Sequence, residues 1–359
     1  MKRYLALDAL RGLTIALMIL VNTPGSWSHV YAPFLHAQWH GCTPTDLVFP
    51  FFLFIIGSAM FFSLKKTQGQ FSSQLLVKII KRGLIIFFIG VALNAYPFVQ
   101  PIEELRYMGV LQRIGIAYFL AAIMVVTLKR KVIIFSCIAI LLCYWLLVLS
   151  VGVDRAFSLE GNVVRQFDLW LLGDRHMYRG LGLAFDPEGV LSSLPAVVSV
   201  LIGFEVTRYL TSISDHKKVI NKLLFIGLTL SGIALLWHEL LPINKSLWSS
   251  SYVLFSSGIA CIVLAAFVYL LDIKHQRKFA EPLLVYGTNP LFIYVLSWLW
   301  VTTYLYVDIN GVDLYQWLFN QLSSIFAAKM ASFIFALIHV LLFWYISRVL
   351  YQRKLFIKI

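Results

Sequence analysis

Val132-Ile-Ile-Phe-Ser-Cys-Ile-Ala-Ile-Leu-Leu-Cys-Tyr-Trp-Leu-Leu-Val-Leu-Ser-Val151 runs without a charge, a glycine or a proline. As a helix it is about 30 Å long, the hydrocarbon thickness of a bilayer. A membrane β-barrel needs alternating polar and apolar residues, and this run has none of that alternation, so the spanning unit is a helix. Nine further apolar stretches of similar length follow the same rule: 7–24, 45–64, 77–96, 108–128, 189–209, 221–239, 252–272, 283–305 and 330–350. The expected fold is therefore an all-α polytopic membrane bundle of about ten helices, one membrane domain over 1–359. Composition agrees, with 60% hydrophobic and 13% charged residues and a mean hydropathy of +0.82. A soluble domain of this size has no interior for so much apolar surface.

Lys2 and Arg3 resemble the start of a signal peptide, but no small-residue cleavage site follows, so the first stretch is read as a span. The net charge of +13 points to nucleic acid only until the charges are placed. Of the 30 Lys and Arg residues, 22 fall on one face of the ten-helix topology. The positive-inside rule then places both termini in the cytoplasm and gives the charge a topological meaning, with no nucleic-acid partner. Size and build point to a bacterial inner membrane. Cys42, Cys137, Cys143 and Cys261 lack paired spacing, and three lie in apolar runs. They read as small apolar fillers, with no disulfide or metal site expected. Gly57-Ser-Ala-Met60 is rich in small residues and suits close helix packing, within the chain or across a homodimer.

The face opposite the basic loops carries the chemistry. His36-Ala-Gln-Trp-His-Gly-Cys-Thr-Pro-Thr-Asp46 leads into the second span. A histidine titrates near neutral pH and is an economical general base, although a solvated surface role explains one equally well. Thr43-Pro-Thr-Asp46 reads as a helix start, with Thr43 as N-cap, Pro44 at the first position and Asp46 at the third. Asp46 then completes the cap, orients a histidine, or does both. On the first span, Arg11 and Asn22 lie within about 20° of each other on the helical wheel, and Asp8 within about 60° of Arg11. That polar stripe is either a structural pair with a terminal Asn or the lining of a functional cavity. Arg106 and Arg113 are seven apart and share a face. Arg113, beside Gln112, then pairs with an acid such as Asp8 or Asp46, or binds an anion. Asp186-Pro-Glu-Gly189 reads as the cap of the sixth span, and Asn289-Pro290 breaks the ninth. Aromatic rings and carboxylates in the loops, Trp39 and Asp186 among them, suit a carbohydrate or an interfacial belt.

Several segments, in order, resemble the heparan-α-glucosaminide N-acetyltransferase family and its bacterial glucosamine N-acetyltransferase relatives. They are Leu7-Asp-Ala-Leu-Arg-Gly-Leu-Thr14, Val21-Asn22, His36-Ala-Gln-Trp39, Thr45-Asp-Leu-Val-Phe-Pro50, Gly109-Val-Leu-Gln-Arg-Ile-Gly115, Phe185-Asp-Pro-Glu-Gly189 and Pro242-Ile-Asn-Lys-Ser-Leu-Trp-Ser249. The resemblance implies a multi-span enzyme that takes acetyl-CoA from the cytosol and acetylates a glucosamine amine on the far side. It implies His36 as the catalytic histidine with Asn22 beside it. The long lumenal region of the lysosomal enzyme has no counterpart here, which shifts the expected acceptor from heparan sulfate to glucosamine or another amino sugar.

The mechanism expected from these readings uses His36 to deprotonate the sugar ammonium and Asn22 to donate to the oxyanion. A route through acetyl-His36 competes with it. Asp46 joins the catalytic set, and Trp39, His40, Asp8, Arg11, Gln112, Arg113, Asp186, Glu188 and Asn244 are candidates for the acceptor. Lys78, Lys81, Arg82, Lys129 and Arg130 are candidates for the CoA phosphates, or simply topological charges. A sugar or lipid-linked substrate transporter and a membrane O-acyltransferase are the alternatives.

Overall fold

The computed structural model describes residues 4–67 and 71–357. It is all-α apart from one two-residue ribbon. The helices are α1 (Leu5–Asn22), α2 (Val48–Leu64), α3 (Ser73–Ala95), α4 (Val110–Thr127), α5 (Arg130–Leu149), the short α6 (Val153–Ala156) and α7 (Val163–Leu172). They continue as α8 (Ser193–Ser212), α9 (His216–His238), α10 (Ser250–Val268), α11 (Arg277–Tyr286), α12 (Pro290–Tyr304), α13 (Leu314–Ser323) and α14 (Ala328–Gln352). Among the described residues, eight helices are long and apolar enough to cross a membrane, nine if one bent pair counts as a single span. The chain is a multi-pass membrane protein, and a helix lies at each of the ten expected stretches.

Two of those stretches depart from a plain span. α3 is a full helix, but Lys78, Lys81 and Arg82 fall within it, and it is not among the eight. The ninth stretch is broken: Ala280–Tyr286 and Pro290–Tyr304 meet at 79°. The first helix ends at Tyr286 and the second begins at Pro290, whose missing donor and ring prevent one ladder from running across both.

The chain falls into two compact units, one made of residues 1–37, 43–49 and 266–358, the other mainly of 50–265 with 38–42. The first unit contains α1 and α11 to α14. α1 meets α11 so closely that a Cβ on Gly12 would sit 1.7 Å from the Leu283 carbonyl oxygen. Arg11 donates to Asp8 at 3.0 Å and to the Gly287 carbonyl at 3.4 Å. That carbonyl belongs to the broken turn, so Arg11 supplies a partner where the helix ladder no longer does. Asn289, at the break, donates to Leu355 O at 2.9 Å and accepts from Ile357 N at 2.8 Å, tying down the C-terminal tail. The ribbon pairs Asp308–Ile309 with Val312–Asp313. Its turn is Asn310-Gly311, both at positive φ, the residue pair that two-residue hairpin turns favour.

In the second unit α8 is an interior helix, 67% buried along its apolar window, whereas α5 is 22% buried. α8 packs on α2 through glycine on both sides. A Cβ on Gly57 would sit 1.9 Å from Val200 O, and one on Gly203 would sit 1.9 Å from Phe54 O. Ser58 adds a hydrogen bond to Gly203 O at 3.4 Å. The small-residue motif of the second span is thus used for packing within the chain.

Candidate active site

The His36 loop is held by the helix start that follows it in the first unit. Pro44–Leu47 forms one 3-10 turn ahead of α2, with Thr43 as its N-cap. Asp46, 1% exposed, turns one carboxylate oxygen back on the loop. Its Oδ2 accepts from Thr43 N at 2.9 Å and Ala37 N at 3.0 Å. The Thr43 hydroxyl donates to Leu35 O at 2.7 Å and Thr45 donates to Pro33 O at 3.2 Å. These bonds fix residues 33–37 against the first turn of the helix.

The other oxygen, Oδ1, lies 2.7 Å from His36 Nδ1. A buried carboxylate at that distance accepts the Nδ1 proton, which leaves Nε2 as the basic nitrogen of the neutral ring. The His36 side chain is 41% exposed, so the pair is anchored on a buried carboxylate and reaches towards the surface. Asp46 therefore makes both contacts that the sequence left as alternatives. Asn22 is the last residue of α1 and is exposed. Among the described hydrogen bonds none joins it to His36. Asp8 and Arg11 form the ion pair described above.

In the second unit, Arg106 and Arg113 converge on residues 186–192, the turn that carries Asp186 and Glu188. Arg106 makes two bonds to Asp186, at 2.9 and 2.7 Å, and one to Glu188 at 2.8 Å. Its guanidinium also lies 4.8 Å from the Tyr178 ring centroid. Burial would lower the Arg106 pKa, but Asp186 and Glu188 outweigh it and hold the guanidinium more firmly protonated. Burial likewise pushes Glu188 up, and Arg106, Arg113 and Lys245 overcome it and hold Glu188 below its usual range.

Arg113 is fully buried. It donates to Gly189 O at 3.3 Å and to the Ser192 hydroxyl, and it stacks 4.7 Å from the Trp248 ring centroid. Its Nε and Nη1, and the Nε2 of neighbouring Gln112, have no hydrogen-bond partner among the described residues.

Three expectations are corrected here. Asp186 does not cap the sixth span, because α8 starts at Ser193 with Ser192 as N-cap; its charge is instead consumed by Arg106. Arg106 and Arg113 do not share a helix face, because Gly109 is the N-cap of α4 and Arg106 lies in the preceding loop. They meet at the 186–192 turn through tertiary folding. The described partners of Arg113 are Gly189 and Ser192, in place of the expected Asp8 or Asp46.

His40 and Asn244 also belong to the second unit. Asn244 accepts from Leu247 N at 2.8 Å and its amide nitrogen lies 3.3 Å from His40 Nδ1. Partial burial, then the nearby His238, lower the His40 pKa and favour its neutral form. Trp39 gives its indole N–H to Phe157 O at 2.7 Å and packs edge-on to Phe185. At the basic ends of the helices Lys78, Lys81 and Lys129 are exposed, Arg82 lies over the Tyr118 ring, and Arg130 pairs with Glu205 at 3.0 Å.

Asp168 was not nominated from sequence. Its Oδ1 accepts from Val190 N at 3.1 Å and Leu191 N at 3.2 Å, while Oδ2 is buried without a described partner. Burial raises its pKa to about 7. The available signal was an acid with the spacing of an amphipathic segment, Val163–Leu172, in a loop.

Comparison with known families follows the same residues. Residues 3–169 match the family model described as heparan-alpha-glucosaminide N-acetyltransferase, catalytic. That range contains His36, Asp46, Arg106, Arg113 and Asp168. The chain is 29% identical over 352 residues to the heparan-alpha-glucosaminide N-acetyltransferase of Mus musculus, covering 82% of this chain and 53% of that protein. The Homo sapiens protein of the same name is 28% identical over 355 residues, with 82% and 52% covered. The chain thus spans about half the length of the curated relatives it matches. By the matched catalytic region and the similarity that continues beyond it, the chain is similar to the heparan-alpha-glucosaminide N-acetyltransferases.

Proposed function

We propose that the chain is a membrane-embedded N-acetyltransferase that moves the acetyl group of acetyl-CoA to the amine of a terminal glucosamine or related amino sugar. The observation that carries this reading is the His36–Asp46 pair at 2.7 Å, within the region that matches the catalytic family model. Asp46 fixes the ring and its tautomer, and the outward Nε2 takes the proton from the acceptor ammonium. The neutral amine then attacks the thioester carbonyl, the C–S bond breaks, the leaving CoA thiolate takes the second proton from the nitrogen, and His36 releases the first to solvent. Asn22 supplies a side-chain donor to the tetrahedral oxyanion. Direct attack by the amine is the reading adopted, because a base held by a buried carboxylate needs no covalent intermediate.

CoA phosphates meet the basic ends of the helices, where Lys78, Lys81, Lys129 and Arg130 are exposed, Arg130 in a pair with Glu205. Arg113 and Gln112 offer buried donors to a polar ligand, whereas Asp186 and Glu188 are committed to Arg106 and shape the loop. The chain acts in the bacterial inner membrane with both termini in the cytoplasm.

The test is acetylation of glucosamine by the purified full chain with acetyl-CoA, wild type beside His36→Ala. Product with wild type and a loss of 10²-fold or more in the variant is expected, the usual range for a general base being about 10²–10⁴. Full turnover by folded His36→Ala overturns the assignment of the base. Absence of both CoA binding and product in the wild type overturns the enzyme reading in favour of transport. Acetylation only of acceptors that lack a free amine identifies an O-acyltransferase.

A further inference from the structure

A groove of about 570 Å³ lies in the second unit between α5, α8 and α9. On α5 it is lined by Ile134, Cys137, Ile138 and Leu141, and on α9 by Ile226 and Leu230. Ile134 and Ile138 are 44% and 54% exposed, so the groove opens sideways on the apolar surface of the helices.

Its charged residues gather at one end: Arg130, Glu205 and Lys222, with Tyr209. Glu205 receives Arg130 at 3.0 Å and Arg208 at 2.9 Å. Two cations therefore share one carboxylate, and with Lys222 lining the same end the mouth is left with surplus positive charge. Beyond the mouth, every lining side chain is hydrocarbon except Cys137. From Arg130 to Leu141, α5 rises about 16 Å. One leaflet of hydrocarbon is about 15 Å deep, half the bilayer core. The groove thus runs from headgroup level to the midplane.

We infer that this groove seats one acyl chain of an anionic phospholipid from the leaflet on the basic face, its phosphate held by Arg130 and Lys222. Length, apolar lining and charge each select that ligand. The pantetheine arm of CoA is selected against, because its two amides would be buried along a wall without hydrogen-bond partners. Lys222 already lies 5.0 Å from the Phe225 ring centroid and 5.8 Å from that of Tyr209, which holds its ammonium at the mouth. The inference does not depend on the acetyltransferase reading.

The experiment is native mass spectrometry of the full chain, delipidated in detergent and then supplied with phosphatidylglycerol or phosphatidylcholine. One phosphatidylglycerol per chain is expected to survive detergent exchange, in preference to phosphatidylcholine. The double variant Arg130→Gln, Lys222→Gln is expected to weaken it by about tenfold or more, since each surface cation contributes about 1 kcal/mol towards an anionic lipid. Ile138→Trp places an indole across the opening at a position already more than half exposed, and is expected to abolish retention with an unchanged thermal unfolding midpoint. Absence of retained lipid, equal retention of both lipids, or equal retention by all variants overturns the inference. Displacement of phosphatidylglycerol by CoA alone, with inorganic phosphate as the control, assigns the groove to the co-substrate and also overturns it.

Discussion

Two clusters in this molecule are built from the same kinds of side chain and come to opposite ends. In the first unit a buried carboxylate, Asp46, holds a half-exposed histidine through Nδ1. In the second unit a buried carboxylate, Asp186, holds Arg106, and Glu188 closes on the same guanidinium. The first cluster leaves its histidine 41% exposed. The second spends its charges on each other and fixes a loop. A buried carboxylate thus signals chemistry only when its partner has a second, open face.

The comparison breaks most visibly through the histidine. His36→Ala is expected to lose 10²-fold or more in acetyl transfer with the unfolding midpoint unchanged. Asp46→Asn keeps the shape but offers an amide where the ring needs an acceptor, so a loss of about 10²-fold is expected, read from kcat at constant protein fold. If both variants instead unfold without a specific loss of activity, the two clusters are of one kind.

Arg106→Gln tests the closed cluster. It leaves Asp186 fully buried without its cation, and removing one member of a buried pair costs about 3–5 kcal/mol. A lowered thermal midpoint in detergent is expected. Asp168 gives a smaller and pH-dependent effect. Its pKa is about 7 in the fold, raised from 3.8, so between those values the native state binds the proton that the unfolded state has lost. Its contribution to stability is therefore present below about pH 4 and is lost as pH rises towards 7. Asp168→Asn should flatten that part of the stability profile, measured as unfolding midpoint against pH. The smallest effect concerns His40, whose pKa is lowered first by burial and then by His238. His238→Phe removes the second cause, and the His40 titration followed by NMR should move upward.

The all-α membrane class was legible because twenty apolar residues in lipid have one low-cost backbone solution, whereas eight or nine of the described helices, not ten, qualify as spans. The Thr43–Asp46 cap was legible because it is a local pattern of spacing and side-chain length. Legibility ended where a residue had several partners within reach. Asp186-Pro-Glu-Gly189 has the composition of a helix cap, yet Asp186 is used by an arginine 80 positions away in sequence. Arg106 has the spacing of a helix neighbour of Arg113, but Gly109 starts the helix too late to include it. Asp168 carried no motif, and only its burial beneath the 190–191 amides makes it unusual.

The sequence by itself determined the membrane class, the helices and the loop that carries His36, because hydropathy and capping act over a few residues. Only the tertiary structure decided which charges pair, which glycines touch a neighbouring backbone and which histidine nitrogen faces Asp46. Electrostatic and packing choices of that kind depend on distances between segments far apart in the chain, and burial makes the difference between partner and no partner worth several kcal/mol.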